Sequence, residues 1–137
     1  MADLALKTAA RVEVVESLEQ MTLIAAEAIT PGQAVRLDTA SGQFTLSKAT
    51  SAAEARIYGI AVGTHAIAAG FPVTAIRRGV IGGFTIPQAY DAAIFLSDTD
   101  GMLADAAGTV STVVGRVIPG ANELLGSAYG KLLYVGL

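Results

Sequence analysis

The 137-residue chain has no cysteine, no tryptophan and little charge. Without cysteine, neither a disulfide staple nor a thiolate metal site is available. A single domain of this length needs no staple, because it buries roughly two-thirds of the surface its unfolded chain exposes. Charged residues make up 15% of the sequence, against about 25% in an ordinary soluble domain. Such a surface is either unusually inert or covered by other subunits. The many small apolar residues favour the second reading, since they suit close, flat contacts. Lys and Arg number nine against twelve Asp and Glu, and Arg77-Arg78 is the one basic cluster. That excludes the basic stripe on which nucleic-acid binding depends. No run of 18 apolar residues occurs, so no membrane-spanning helix is expected. The opening "MADLALKTAARVEVVE" lacks the basic start and long apolar stretch of a signal peptide, which points to a chain made and folded in a cytoplasm.

What the chain does have is punctuation. From about residue 30, glycine or Pro-Gly recurs every 8–12 residues, as in "TPGQ", "ASGQ", "AAGFP", "IGGF", "TDGM", "IPGA" and "AYGK". Short apolar, β-branched pieces lie between, among them "AVRLDT", "QFTLS", "PVTAIRRGVI", "TVVGRVI" and "KLLYVGL". Their length and spacing predict a small all-β domain, sandwich or barrel. Val35 and Leu37 share one strand face, as do Phe44 and Leu46. Residues 48–56 suit a short helical turn or a loop. The first 20 residues are ambiguous. Leu4, Thr8, Arg11, Val15 and Leu18 have helical spacing, yet "RVEVVESL" also reads as a strand. With no capping signal they are read as an N-terminal arm, and residues 21–137 as the β domain, with "MTLIAAEAI" as its first strand.

The sequence also echoes itself. "AVRLDTASGQFTLSKA…RIYGIAVG" is matched by "AIFLSDTDGMLADAA…TVVGRVIP": Val35 and Leu37 align with Ile94 and Leu96, Gly42 with Gly101, and Gly59 with Gly115. One unit used twice predicts a pseudo-symmetric barrel of two halves.

The most polar stretch is "IFLSDTDGMLAD", residues 94–105. Counted from Asp98, Gly101 falls at position 4 and Thr109 at position 12, which does not fit the acids, glycine and glutamate of an EF-hand loop. Its first-copy equivalent, "DTASG", has lost acids but kept the turn residues. Both versions are explained by Asp and Thr bonding nearby amides and a glycine supplying positive φ. A carboxylate pair doing acid–base work needs a cleft that separates their pKa values, not a short turn in water. His65 is the only histidine, too few for a multi-His metal site, and no nucleophile-elbow pattern accompanies it. Gly82-Gly83 lacks the lysine and spacing of a phosphate loop and reads as a bulge or bend. Arg77-Arg78 admits two readings, charge protecting an edge strand or an arginine aimed at a neighbouring subunit's carboxylate. No catalytic, cofactor-binding or metal-binding constellation emerges.

Three stretches, "AEAITPGQAVRLDTASGQFTLS", "IYGIAVGTHAIAAGFPVTAIRRGVI" and "AIFLSDTDGMLADAAGTVSTVVGRVI", resemble the small capsid cement, or decoration, proteins of tailed bacteriophages. The resemblance covers residues 25–120, and the third stretch carries most of it through its Leu-Ser-Asp-Thr hairpin leading to Val-Gly-Arg-Val. Phe71-Pro72 departs from the pattern, as do residues 1–20. The resemblance implies a β-barrel or β-tulip body with an N-terminal arm. It further implies a homotrimer that binds the major capsid protein on the outer surface of the virion head and resists the pressure of packaged DNA. No cofactor, nucleic acid or membrane would be involved. Expected capsid or oligomer contacts are Leu4, Leu6, Val12 and Val14 in the arm, with Arg77 and Arg78. The alternatives are a head-fibre base or tail structural protein, and a small-ligand-binding β-barrel.

Overall fold

Among the described residues every regular element is a β-strand, as the glycine-bounded apolar pieces predict. The computed structural model describes residues 2–120 and 131–137. The "AYGK" turn, apart from its lysine, and the end of "IPGA" lie outside the described residues. The strands are β1 (Ala5–Leu6), β2 (Glu13–Ile24), β3 (Ala34–Leu37), β4 (Phe44–Leu46), β5 (Gly59–Val62) and β6 (Pro72–Gly82). They continue with β7 (Phe84–Thr85), β8 (Ala93–Leu96), β9 (Leu103–Ala104), β10 (Val113–Pro119) and β11 (Lys131–Gly136).

Nine of these strands make one strongly curled, half-barrel sheet in the order β4-β3-β5-β6-β11-β10-β8-β9, with β2 joining β6 off that path. All the pairings are antiparallel. The order is palindromic: a hairpin, a strand and a long central strand, met from either end. The internal echo in the sequence is therefore an echo in topology, and the registers agree. Val35 faces Gly59 across β3 and β5, and Ile94 faces Gly115 across β8 and β10. The hairpins close alike, with Asp38 N–H donating to Gln43 O at 2.8 Å and Ser97 N–H to Met102 O at 2.9 Å. Their turn glycines, Gly42 and Gly101, have φ of 70° and 71°, a region a side chain strains to enter.

The two ends of the sheet meet. Gly101 N–H donates to Ser47 O at 2.6 Å, Ala34 N–H to Gly101 O at 2.8 Å, and Ala49 N–H to Ser97 O at 2.8 Å. The second hairpin thereby clasps the first and closes the curl. Inside lies one apolar cluster containing Ile60, Ile76, Ile94, Leu96, Leu103, Val114 and Leu133. A second, around Ile29, Val35, Phe44, Ala61 and Ala75, fills the opposite face of the first half. Burying each large side chain there contributes roughly 1.5–3 kcal/mol. The chain between β2 and β3 covers this outer cluster, held by Ala26 N–H on Phe44 O and by reciprocal bonds between Ile29 and Ile67. Within residues 48–56, positions 49–55 form turns and a bend, and Gly83, φ 129°, marks the bend between β6 and β7.

The N-terminal segment does not stand away from this body. Ala2 N–H donates to Asp105 Oδ1 at 2.8 Å, Leu4 N–H to Leu103 O at 2.8 Å, and β1 pairs with β7. Residues 13–20 then belong to β2, so the boundary expected at residue 20 falls inside a strand. The ambiguity of "RVEVVESL" is resolved by β6, a pairing partner that no local pattern reveals.

Candidate functional site

Strand β2, "EVVESLEQMTLI", stands apart from the rest of the sheet. Its β-branched Val14, Val15, Thr22 and Ile24 suit an extended backbone, and it pairs with β6 along its whole length. Isolated bridges tether the chain just beyond its ends, Val12 to Gly63 and Ala25 to Phe44. Between them, no strand among the described residues pairs with its other edge. Val15 is 53% exposed and Leu18 56%, and Val14, Met21 and Ile24 are exposed too. Natural sheets normally shield such an edge, because unpaired N–H and C=O groups beside apolar side chains invite another chain. Here the shielding is partial. The register slips between Val14 and Glu16, between Ser17 and Glu19, and between Glu19 and Gln20, which adds twist. Glu13, Glu16 and Glu19 interrupt the apolar residues. At Gly79, φ 152°, an added Cβ would lie 2.3 Å from the Glu16 carbonyl oxygen, so β2 sits on β6 closer than any side chain would permit.

The six residues named from the sequence separate on this frame. Leu4 and Val12 are 4% and 1% exposed and belong to the inner core cluster, with Leu6 half-buried against it. Leu4 and Val12 hold the body together and offer no face to a partner. Val14 is exposed on β2. Arg77 and Arg78 lie in β6, which is no edge strand: β2 takes one edge while β5 and β11 divide the other. Arg77 Nε lies 3.5 Å from Glu19 Oε2 of the same chain, and its guanidinium is 5.0 Å from the Tyr58 ring centroid. Arg78 is exposed. Leu18 and Met21 form the centre of the exposed strand, and their sequence signal is the run of large apolar residues set between glutamates rather than the helical spacing that includes Leu18.

The acidic stretch 97–105 is a structural clasp. Asp98 accepts from Thr109 N–H and Thr109 Oγ1, both at 2.9 Å. Asp100 lies 3.6 Å from Lys48 Nζ, and Asp105 accepts from Ala2 N–H. Ser97 Oγ donates to Asp3 at 2.5 Å and accepts from Thr99 N–H at 3.0 Å. Each acid thus has its own partner, and no group of three His, Cys, Asp or Glu among the described residues could hold a metal ion. Lys48, flanked by Asp100 and Glu54, has its pKa raised. His65 sits in an exposed loop after β5, with the Thr64 hydroxyl 3.5 Å from Nδ1.

The first half also carries an open-sided hollow of about 700 Å³ between its hairpin, the 53–58 connection and β6. Arg36, Arg56 and Arg77 line it with Asp38 and Tyr58. Arg36 Nε donates to Leu46 O at 3.3 Å. The Ser41 hydroxyl, 2.6 Å from Asp38 Oδ2, holds that carboxyl below the usual carboxylate range, assisted by the Ser41 and Ala40 amides and the Arg36 charge.

Comparison with known proteins finds no family model that matches the chain, no similar curated protein and no similar solved structure.

Proposed function

We propose that this is a non-enzymatic structural protein of a tailed-phage head, a cement subunit that assembles as a homotrimer and binds the major capsid protein on the outer capsid surface. The observation that carries the reading is β2: a 12-residue strand with an open edge and exposed apolar side chains on a charge-poor body. Exposed apolar surface of this kind serves association, and an open edge offers main-chain hydrogen bonds to an incoming strand. Each contact need not be strong, because a trimer engaging several lattice subunits at once gains by effective concentration. The docking segment in this reading is β2, residues 13–24, held on the body before binding.

Sedimentation tests the first step, with a solution mass near three times 13.9 kDa expected. Mixing the protein with expanded empty heads of the phage that carries its gene tests the second. Density at three-fold positions is expected, together with at least ten-fold weaker binding by Leu18→Lys, whose exposed site leaves the core untouched. A monomer that leaves the heads bare would sink the reading.

A further inference from the structure

We infer that the hollow between β3, β6 and the 53–58 connection is a receptor for one carboxylate, presented by an acidic side chain of a protein partner. Three of the six arginines in this acidic chain line it, though Arg36, Arg56 and Arg77 are far apart in sequence and come from three different segments. Their convergence is a product of topology. The Arg77 guanidinium lies over the Tyr58 ring, 5.0 Å from its centroid. A ring face holds a guanidinium plane in place, so one wall of the site is fixed before any ligand arrives. Arg56 is exposed and forms no hydrogen bond or ion pair with a described residue.

Charge decides which anion fits. Asp38 lies in the wall, and Glu19 stands 3.5 Å from Arg77 Nε. These two carboxylates offset two of the three guanidiniums and leave one positive charge unmatched. A dianion such as phosphate carries more negative charge than the one guanidinium left unmatched can offset. A single carboxylate matches the remainder, and its planar oxygens suit the guanidinium fork. At about 700 Å³ the hollow falls in the usual range for ligand sites, roughly 300–1,000 Å³. That is several times the volume of one acidic side chain, leaving room for the peptide that carries it. Leu37 and Ile57 in the lining offer apolar contact to its methylenes.

The second half of the molecule argues that Arg36 and Arg56 are not required by the fold. Through the register of the two hairpins and the echo of "RIYG" in "TVVG", Arg36 and Arg56 correspond to Phe95 and Thr112. The same topology stands without a single guanidinium at these places. The assignment does not depend on which protein presents the carboxylate, nor on the docking role of β2.

The test is an NMR titration of the full chain with the blocked tripeptide acetyl-Ala-Glu-Ala-amide, beside its Gln analogue and inorganic phosphate. Expected are saturable shifts at Arg36, Arg56, Arg77 and Gly42, at least ten-fold weaker binding of the Gln peptide and of phosphate, and weakening by added salt. Arg56→Ala, and separately Arg36→Ala, should reduce the affinity at least ten-fold, while Arg116→Ala leaves it unchanged. Arg56→Lys keeps the charge but not the fork and should fall between, which separates recognition from any loss of folding. Absent shifts, a Gln peptide or phosphate binding as well as the Glu peptide, or indifference to Arg36 and Arg56 would each overturn the assignment.

Discussion

The two halves of the sheet solve one packing problem with different side chains. Gly59 and Gly115 occupy equivalent places, each pressed against the carbonyl of a central strand. Val35 and Ile94 face them, Val35 in the outer apolar cluster and Ile94 in the inner one, and the turn glycines share a φ of about 70°. Where the fold demands a residue, the halves agree. Where they part, the first half has an added strand on β6 and three arginines around a hollow, and the second has Phe95 and Thr112 in place of Arg36 and Arg56. The lesson is that the common part is scaffold, and the differences are where the proposed recognition sites lie.

The comparison breaks most severely at the glycines. A Cβ at Gly115 would sit 1.9 Å from the Tyr134 carbonyl oxygen, and one at Gly59 would sit 2.8 Å from that of Ile76. Gly115→Ala should therefore lose more than about 3 kcal/mol in urea unfolding, and Gly59→Ala about 1–3 kcal/mol. Equal, small losses would mean that the halves are not built on the same close approach.

A smaller effect separates the two serines of the clasp, both fully buried. Ser97 Oγ is bonded to Asp3 and Thr99, whereas Ser47 Oγ has no hydrogen-bond partner among the described residues. Ser97→Ala should destabilise by about 1–2 kcal/mol, and Ser47→Ala should be neutral or slightly stabilising, since it removes a buried hydroxyl without breaking a bond. Thermal unfolding of the pair reads the difference directly.

The smallest effect is one of pH. Asp38 closes the first hairpin at the place Ser97 holds in the second, and its pKa is lowered by the Ser41 hydroxyl. A carboxyl whose folded pKa is depressed adds stability above its unfolded value and loses it as pH falls through the folded one. Asp38→Asn should flatten the acid side of the stability profile slightly below pH 4. An unaltered profile in Asp38→Asn would remove the assigned role of that carboxyl.

Much of the scaffold was readable in the residues, because turns and hairpins are local. Gly42, Gly101, Gly59 and Gly115 announced both copies, and the Asp/Thr/Gly bends were legible as bends. The resemblance to phage cement proteins remains a proposal resting on those same hairpins. Strand β2 was missed as a unit because "RVEVVESL" fits two periodicities and only β6 decides between them. Leu4 and Val12 looked available for contact, yet pairing with β9 and Gly63 draws them inward. The hollow had no linear signature. Setting the copies side by side would have flagged Arg36 and Arg56, each replaced by an uncharged residue in the second.

The bond between Ala2 and Asp105 spans 103 positions. A nascent chain cannot form it until the second hairpin has left the ribosome, so Leu4 must wait in water for most of synthesis. Contacts so remote in sequence slow the search for the native state and leave apolar segments open to stray association meanwhile. The tucking in of the first residues would then come late, with premature crowding of unfinished chains as its characteristic failure.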